Sequence, residues 1–307
     1  MTRIAAIALT LPVFCFACAG SAPLPAKALD LNRAGVDALA AGDLETADAR
    51  FSLALEYNPN FVDALTNQGL VELQRGNFER ARQLLTRARR LNPDVAQPHH
   101  ALGVLAERER RPDLASRNYY EALRVDPGFA PSRNNLAHLL YDGGLFEDAL
   151  VQFKRLVEVE PSAVDALAGL AATLLHLERV NEAGDVIERA LGLAPESPEL
   201  AILSARLEMR RGEFDAAIAR LTPLTGTRSD LAVHALAWLS AAELAAGRPR
   251  AAVSAAERAI QLAPDDALSS YALAVSLKEL GDPGAERWLL RASALSPGAR
   301  LTLDSVR

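Results

Sequence analysis

The chain is 307 residues long, and half of its residues are hydrophobic while 23% are charged, which excludes an intrinsically disordered protein. Its net charge of −6 and its aromatic content of only 5% argue against a nucleic-acid-binding protein and against a sheet-rich core. Both cysteines, Cys15 and Cys18, precede residue 20, so the rest of the chain cannot form a disulfide framework or a cysteine-based zinc site.

The N-terminal segment 1–19 has the pattern of an export signal. Arg3 supplies a positive charge ahead of the mostly apolar stretch 4–16. As a helix this stretch would be about 20 Å long, which is too short to cross a hydrocarbon core of about 30 Å. The sequence therefore predicts a signal peptide and an exported protein of the bacterial cell envelope.

Two ways of processing this signal fit the residues at its end. Ala17-Cys18-Ala19 suits cleavage after Ala19 by signal peptidase, which would release a secreted protein. The same residues resemble a bacterial lipobox, which implies that Cys18 becomes the lipidated first residue, with 20–27 as a flexible tether. An uncleaved anchor is a third reading. We favour lipidation, which predicts an anchor in the outer membrane facing the periplasm.

Prolines recur along the chain with a period of 34 residues. Five of them are spaced by 34 residues and two more follow in nearly the same rhythm: Pro59, Pro93, Pro127, Pro161, Pro195, Pro264 and Pro297. Alanines stand five and twelve residues before most of these prolines, and Gly42 and its equivalents lie where a turn would join two helices. Larger residues at a further position are expected to fill the space between helix pairs: Phe51, Leu85, Tyr119, Phe153, Ile187 and Leu289.

This pattern resembles the tetratricopeptide repeat family, whose 34-residue unit is a helix–turn–helix. The resemblance implies an all-α fold, a right-handed superhelical solenoid of about eight repeats over 28–297. Its predicted repeats are 28–61, 62–95, 96–129, 130–163, 164–197, 198–232, 233–266 and 267–297, with a C-terminal tail at 298–307. The sixth repeat is degenerate, because Pro223 interrupts its second helix and Ser229 replaces the terminal proline.

In this family the first helix of each repeat lines a concave groove. The matching positions give a candidate peptide-binding groove: Asn67, Leu70, His100, Val104, Asn134, Asn135, His138 and Tyr141. Neutral hydrogen-bonding groups among apolar ones suit the backbone of an extended or helical peptide. A groove that simply faces water would also look polar. We predict a protein partner, with no nucleic acid and no small-molecule substrate.

The histidines of this groove do not predict a metal site. His100, His138 and His176 recur every 38 residues, which is one repeat plus one helical turn. Neighbours are thus separated by about 8–10 Å between helices and about 5 Å along them, too far for Zn–N bonds of about 2.0 Å. The sequence also has no recognisable nucleophile–base pair and no phosphate-binding glycine loop. We therefore expect no enzyme activity, no metal and no cofactor.

The segment 75–124, called here the arginine-rich segment, contains eleven arginines against six acidic residues. Such a run is usual for a solvated helix face. It would also suit docking to an acidic partner or to anionic lipid headgroups.

A narrower resemblance lies within 68–150. Five short motifs occur there in order: Leu73 to Asn77, Pro112 to Ala115, Tyr120 to Leu123, Asn134-Asn135 and Leu140-Tyr141. This series is similar to the type IV pilus pilotins, tetratricopeptide lipoproteins that help the outer-membrane secretin ring to localise and assemble. The resemblance implies a non-enzymatic, envelope-anchored scaffold whose groove holds a secretin segment. The alternative is a general periplasmic scaffold for cell-wall or polysaccharide export machinery.

Overall fold

The computed structural model describes residues 24–226 and 229–296, and in these ranges the chain forms sixteen α-helices, one 3-10 helix and no β-strand. The helices are α1 Ala26–Ala40, α2 Leu44–Tyr57, α3 Val62–Gln74, α4 Phe78–Leu91, α5 Ala96–Arg108, α6 Pro112–Val125, α7 Ala130–Asp142, α8 Phe146–Val159, α9 Val164–His176, α10 Val180–Leu193, α11 Pro198–Arg210, α12 Phe214–Leu221, α13 Asp230–Ala245, α14 Pro249–Leu262, α15 Ala267–Glu279 and α16 Ala285–Leu295. The predicted signal peptide with Cys18, most of the tether, Pro297 and the C-terminal tail lie outside the described residues.

The chain divides into two compact units after Pro93. The N-terminal unit holds α1–α4, and the C-terminal unit holds α5–α16. Within each unit the helices pack as successive pairs, α1 on α2 and α3 on α4 in the first, and α5 on α6 through α15 on α16 in the second. The predicted all-α class, built from helix–turn–helix repeats, is confirmed.

Each of the eight helix pairs turns at a residue with a left-handed backbone. Six of these residues are glycines, with φ between 70° and 80°: Gly42, Gly76, Gly144, Gly212, Gly247 and Gly281. The other two, Arg110 and Glu178, reach the same region with φ of 57° although they carry a side chain. A side chain in this conformation costs roughly 1–2 kcal/mol, so these two turns are strained where the six glycine turns are not.

Replacing Arg110 with glycine is therefore expected to stabilise the protein by about 0.5–1 kcal/mol, because the relief of strain exceeds the added entropy of the unfolded chain. The matched reverse change is Gly212→Ala, at a turn with φ of 78° where an added Cβ would meet no atom within 4 Å. That variant should lose about 1 kcal/mol for backbone reasons alone. Urea denaturation of both variants checks the pair, and a destabilised Arg110→Gly protein would contradict the strain.

Small and large residues alternate in the core as the repeat predicts. Ala47, Ala81 and Ala115 are fully buried, as are the large side chains of Phe51 and Tyr119. Leu85, Phe153 and Ile187 are buried in the same way. The expectation for Leu289 is wrong, since its side chain is 37% exposed. Leu289 lies on α16, and no further described helix follows to cover it.

Arginine side chains donate hydrogen bonds to the loops between helix pairs. The guanidinium of Arg87 donates to the carbonyl of Pro59 at 2.7 Å in the N-terminal unit. In the C-terminal unit Arg291 donates to the carbonyl of Pro264 at 2.8 Å, and Arg189 donates to that of Pro161. In each case an arginine on the second helix of the following pair donates a hydrogen bond to the carbonyl of the loop proline. Arg87 of the arginine-rich segment therefore has a structural role.

The sixth helix pair is the irregular one. α12 has only eight residues and ends at Leu221, where a 3-10 helix, Thr222–Gly226, takes over. Pro223 lies in this 3-10 helix, and proline cannot donate a helical hydrogen bond. Ser229 then caps α13, because its side chain accepts a hydrogen bond from the amide of Ala232 at 3.3 Å.

Candidate peptide-binding face

Two of the predicted groove residues lie in the N-terminal unit, on α3. Asn67 donates from Nδ2 to Oδ1 of Asn32 on α1 at 3.1 Å, and both Asn67 and Leu70 are half-buried. The Asn67 amide retains further hydrogen-bonding capacity beyond this one bond. The two residues lie on the side of α3 that turns toward α1.

The other six predicted residues lie in the C-terminal unit, on α5 and α7. His100 on α5 is half-buried, and its Nδ1 lies 3.1 Å from Oγ of Ser132 on α7. Its ring also contacts Tyr119 and Phe129, with centroids 5.6 Å and 5.5 Å away. Burial lowers the pKa of His100 to about 4, so this ring is neutral at pH 7 and acts as a hydrogen-bonding, aromatic part of the surface.

On α7 the two adjacent asparagines have different surroundings. Asn135 donates from Nδ2 to the hydroxyl of Tyr119 at 3.1 Å, whereas the side-chain amide of Asn134 has no hydrogen-bond partner among the described residues. His138, one turn further on, is exposed and meets the ring of Phe153 edge-on at 5.1 Å. Asn134 and His138 therefore offer a ligand polar side-chain atoms on α7.

Tyr141 belongs to an aromatic cluster at the end of α7. Its ring meets Phe146 at 5.4 Å and His176 at 5.2 Å. His176 in turn stacks on Phe146, with centroids 4.4 Å apart and planes only 5° from parallel. The sequence had indicated Tyr141 and His176 separately, but it did not predict that Phe146 would join them into one surface.

A cavity of 380 Å³ opens beside α7, lined by Glu107, Arg110, Arg111, Pro112, Asn135, His138, Leu139 and Asp142. It brings Asn135 and His138 together, while His100, Val104, Asn134 and Tyr141 are not part of its lining. Val104 is half-buried and packs on the core. Of the six predicted residues in the C-terminal unit, two therefore line the cavity and four lie outside its lining.

Two carboxyl groups, Glu107 and Asp142, also line this cavity. Burial raises the pKa of Asp142, and the nearby His138 partly offsets that rise. Burial also raises the pKa of Glu107, which the charge of Asp142 raises further and a hydrogen bond with Tyr119 lowers. The pKa of each acid rises because burial destabilises the charged carboxylate. A partner that donates hydrogen bonds, such as the amides of a peptide backbone, would stabilise that charged form.

Among residues 24–226 and 229–296, no group of three or more His, Cys, Asp or Glu side chains is placed to hold a metal ion. Over the same residues, no helix is both long enough and apolar enough to span a bilayer.

The arginine-rich segment is partly neutralised within each unit. In the N-terminal unit Arg75 pairs with Asp48 at 3.0 Å and with Glu72 at 2.9 Å. In the C-terminal unit Arg124 pairs with Glu121 at 2.9 Å. On α4, Arg82, Arg87 and Arg90 line a shallow cavity of 460 Å³. Solvated helix faces account for much of the positive charge of this segment. Docking of the segment to an acidic partner or to anionic lipid headgroups stays a prediction.

One family model of the tetratricopeptide repeat matches residues 32–96, 134–198 and 241–300 of this chain. A second model of the same repeat matches residues 174–239. These ranges cover more than half of the chain. The chain belongs to the tetratricopeptide repeat family. Its 16 helices, in eight pairs over the described residues, are the structural form of that repeat.

Two curated relatives are similar to this chain in sequence. The type IV pilus assembly protein PilF of Pseudomonas aeruginosa is 31% identical over 157 residues, which is 50% of this chain and 61% of PilF. Cellulose synthase operon protein C of Pseudomonas fluorescens is 29% identical over 162 residues, which is 49% of this chain and 13% of that protein. The matches thus span less than two thirds of either relative.

A solved structure of PilF from Pseudomonas aeruginosa superposes with a TM-score of 0.53 at 24% identity, covering 72% of this chain and 96% of the chain in that structure. At this level of identity the superposition establishes a shared fold. The predicted resemblance to pilus-associated tetratricopeptide proteins is confirmed by this match together with the sequence match.

Proposed function

We propose that the protein is a non-enzymatic, envelope-anchored scaffold that binds a protein segment and assists assembly or localisation of an outer-membrane secretin of a type IV pilus. The single observation that carries this proposal is the 31% identity to PilF over 157 residues. A lipid on Cys18 would supply the anchor, and the several acyl chains of a bacterial lipoprotein would hold it stably where a single chain would not.

The geometry of α7 supports binding of a protein segment there. Asn134 offers an amide with unused donors and acceptors, and Tyr141 presents an amphipathic ring backed by Phe146 and His176. Tyrosines held in place by neighbours bind at low entropic cost and are enriched among the residues that dominate interfaces. A peptide laid along α7 could pair its backbone with Asn134 and pack a side chain on Tyr141.

The paired substitutions Asn134→Ala and Tyr141→Ala are expected to weaken binding to the periplasmic part of the organism's own secretin by roughly 10- to 100-fold. The loss of ring contacts costs about 1 kcal/mol, so Tm should fall by no more than about 3 °C. Isothermal titration calorimetry of the purified proteins measures the affinity, and calorimetric unfolding measures Tm.

The matched control is the pair Asn181→Ala and Tyr120→Ala, an exposed asparagine and a 47% exposed tyrosine elsewhere in the same unit. This control should bind like the wild type. Unchanged binding by the α7 variant, or equal losses in both variants, would count against the face on α7.

A general periplasmic scaffold for polysaccharide export is the second candidate. The match to cellulose synthase operon protein C, which covers 49% of this chain, favours it specifically. The two candidates differ in partner and share their chemistry. Binding to secretin segments therefore separates them: this second candidate predicts no secretin binding at all, by either the wild type or the α7 variant.

A further inference from the structure

A second cluster in the C-terminal unit, on α9, α11 and α13, is not part of the predicted groove set. It consists of His176, Arg206, Arg210 and Trp238. The guanidinium carbon of Arg206 lies 4.6 Å from the centre of the Trp238 ring, which holds this arginine by a cation–π contact. Arg210 follows one helical turn later on the same face of α11.

The positive charge of this cluster is poorly neutralised. Arg206 makes no ion pair with any described carboxylate. Arg210 has one partner, Glu178, at 3.6 Å, and the side chain of Glu178 is 76% exposed while that of Arg210 is 12% exposed. Burial lowers the pKa of Arg210, and the neighbouring charge of Arg206 lowers it further, against the opposing effect of Glu178. Two close guanidinium groups with one exposed counter-charge leave a local excess that an anion would relieve.

His176, on which the charges of Arg206 and Arg210 act, carries a polar atom without a partner. Its Nε2 is buried and has no hydrogen-bond partner in the described part of the chain. Burial lowers the pKa of His176 to about 3, with the charges of Arg206 and Arg210 contributing. The ring is therefore neutral at pH 7, and the tautomer protonated at Nε2 supplies a hydrogen-bond donor to an anion without adding charge. A buried polar atom without a partner is costly unless a ligand satisfies it.

We propose that Arg206 and Arg210, together with Nε2 of His176, form a receptor for an acidic side chain of a bound protein segment. The planar fork of a guanidinium matches the two oxygens of a carboxylate. The stack of His176 on Phe146 joins the receptor to the aromatic cluster with Tyr141, so one segment could span both. This inference rests on the proposed binding of a protein segment, and it specifies that the segment is acidic where it meets α11.

The test uses hexaglutamate with both termini blocked, labelled with a fluorophore, and the purified protein in a buffer of low ionic strength. Anisotropy should report binding to the wild type, and Arg206→Gln with Arg210→Gln should weaken it by at least about tenfold. Arg206→Lys with Arg210→Lys keeps the charge but loses the fork, so its loss should be intermediate. Arg211→Gln, an exposed arginine next to the site, is the matched control and should change affinity by less than about twofold.

Two further probes distinguish the source of the anion. Hexaglutamine with a free C-terminus tests a terminal carboxylate, and inorganic phosphate tests a general oxyanion site. Binding of hexaglutamate that depends on Arg206 and Arg210 supports the receptor whatever the natural partner is, because the assay needs no secretin. The receptor is overturned if hexaglutamate does not bind, if the glutamine variant binds it as well as the wild type, or if hexaglutamine or phosphate binds in its place.

Discussion

Phe153→Ala is expected to lower the free energy of unfolding by about 3–5 kcal/mol. The ring of Phe153 on α8 is fully buried. It touches His138 on α7 at 5.1 Å between centroids, and a Cβ built on Gly169 of α9 would lie only 2.3 Å from it. One ring thus fills the space between one helix pair and the first helix of the next, and its removal leaves a void that the close-packed helices cannot collapse to fill.

Repeat proteins gain stability from contacts between neighbouring repeats, so this void should also uncouple the repeats on either side. We expect the urea transition of Phe153→Ala to broaden or split, as followed by circular dichroism. Val151→Ala is the control, since Val151 lies on the same helix and its side chain is 46% exposed. That variant should differ from wild type by less than about 0.5 kcal/mol. A sharp, nearly unshifted transition for Phe153→Ala would contradict the interlocking role of the ring.

Gly103→Ala is expected to destabilise the protein by about 1–3 kcal/mol, although alanine is the better helix former by about 1 kcal/mol. A Cβ on Gly103 would lie 2.4 Å from Cε1 of Tyr119, and Tyr119 is fully buried. The ring cannot swing away without breaking the hydrogen bond that its hydroxyl accepts from Asn135 at 3.1 Å. Overpacking therefore outweighs the gain in helix propensity.

The same substitution at Gly192 should have the opposite sign. Gly192 lies in α10, and an added Cβ there would meet no atom within 4 Å, so Gly192→Ala should stabilise the protein by about 0.5–1 kcal/mol. In a Tyr119→Ala background, Gly103→Ala should lose most of its cost, because the clashing ring is gone. Chemical denaturation of the wild type, Gly103→Ala, Tyr119→Ala and the double variant gives the coupling energy between the two positions. Equal effects at Gly103 and Gly192 would show that no clash exists.

Much of the fold could be predicted because the repeat marks its own elements. Prolines such as Pro59 indicate the loops, the turn glycines indicate the left-handed residues, and Ala47 and its equivalents indicate where helices pack closely. Arg110 and Glu178 could not be identified as turn residues from their type, because packing on both sides forces a conformation that the side chain disfavours. The exposure of Leu289 was missed because the repeat pattern does not indicate where packing partners end.

The candidate site was less accessible to prediction, because residue positions within a repeat indicate a face but not the contacts made across it. The pairing of Asn67 with Asn32 and of Asn135 with Tyr119 depends on the depth at which each helix packs. The approach of Arg206 to Trp238 likewise joins two repeats, the irregular sixth pair and the seventh. A change of a few ångströms between helices decides such contacts, and no single-repeat pattern records it.

Crosslinked pull-downs from native cell envelopes, with partners identified by mass spectrometry, test the secretin scaffold as a whole. Three forms of the full-length protein are compared: wild type, Cys18→Ala, and the paired Asn134→Ala and Tyr141→Ala variant. The proposal predicts secretin peptides with the wild type and fewer with each variant, through loss of the anchor in one and of the binding face in the other. Cell-wall or polysaccharide export proteins recovered with the wild type, in the absence of secretin, would contradict it.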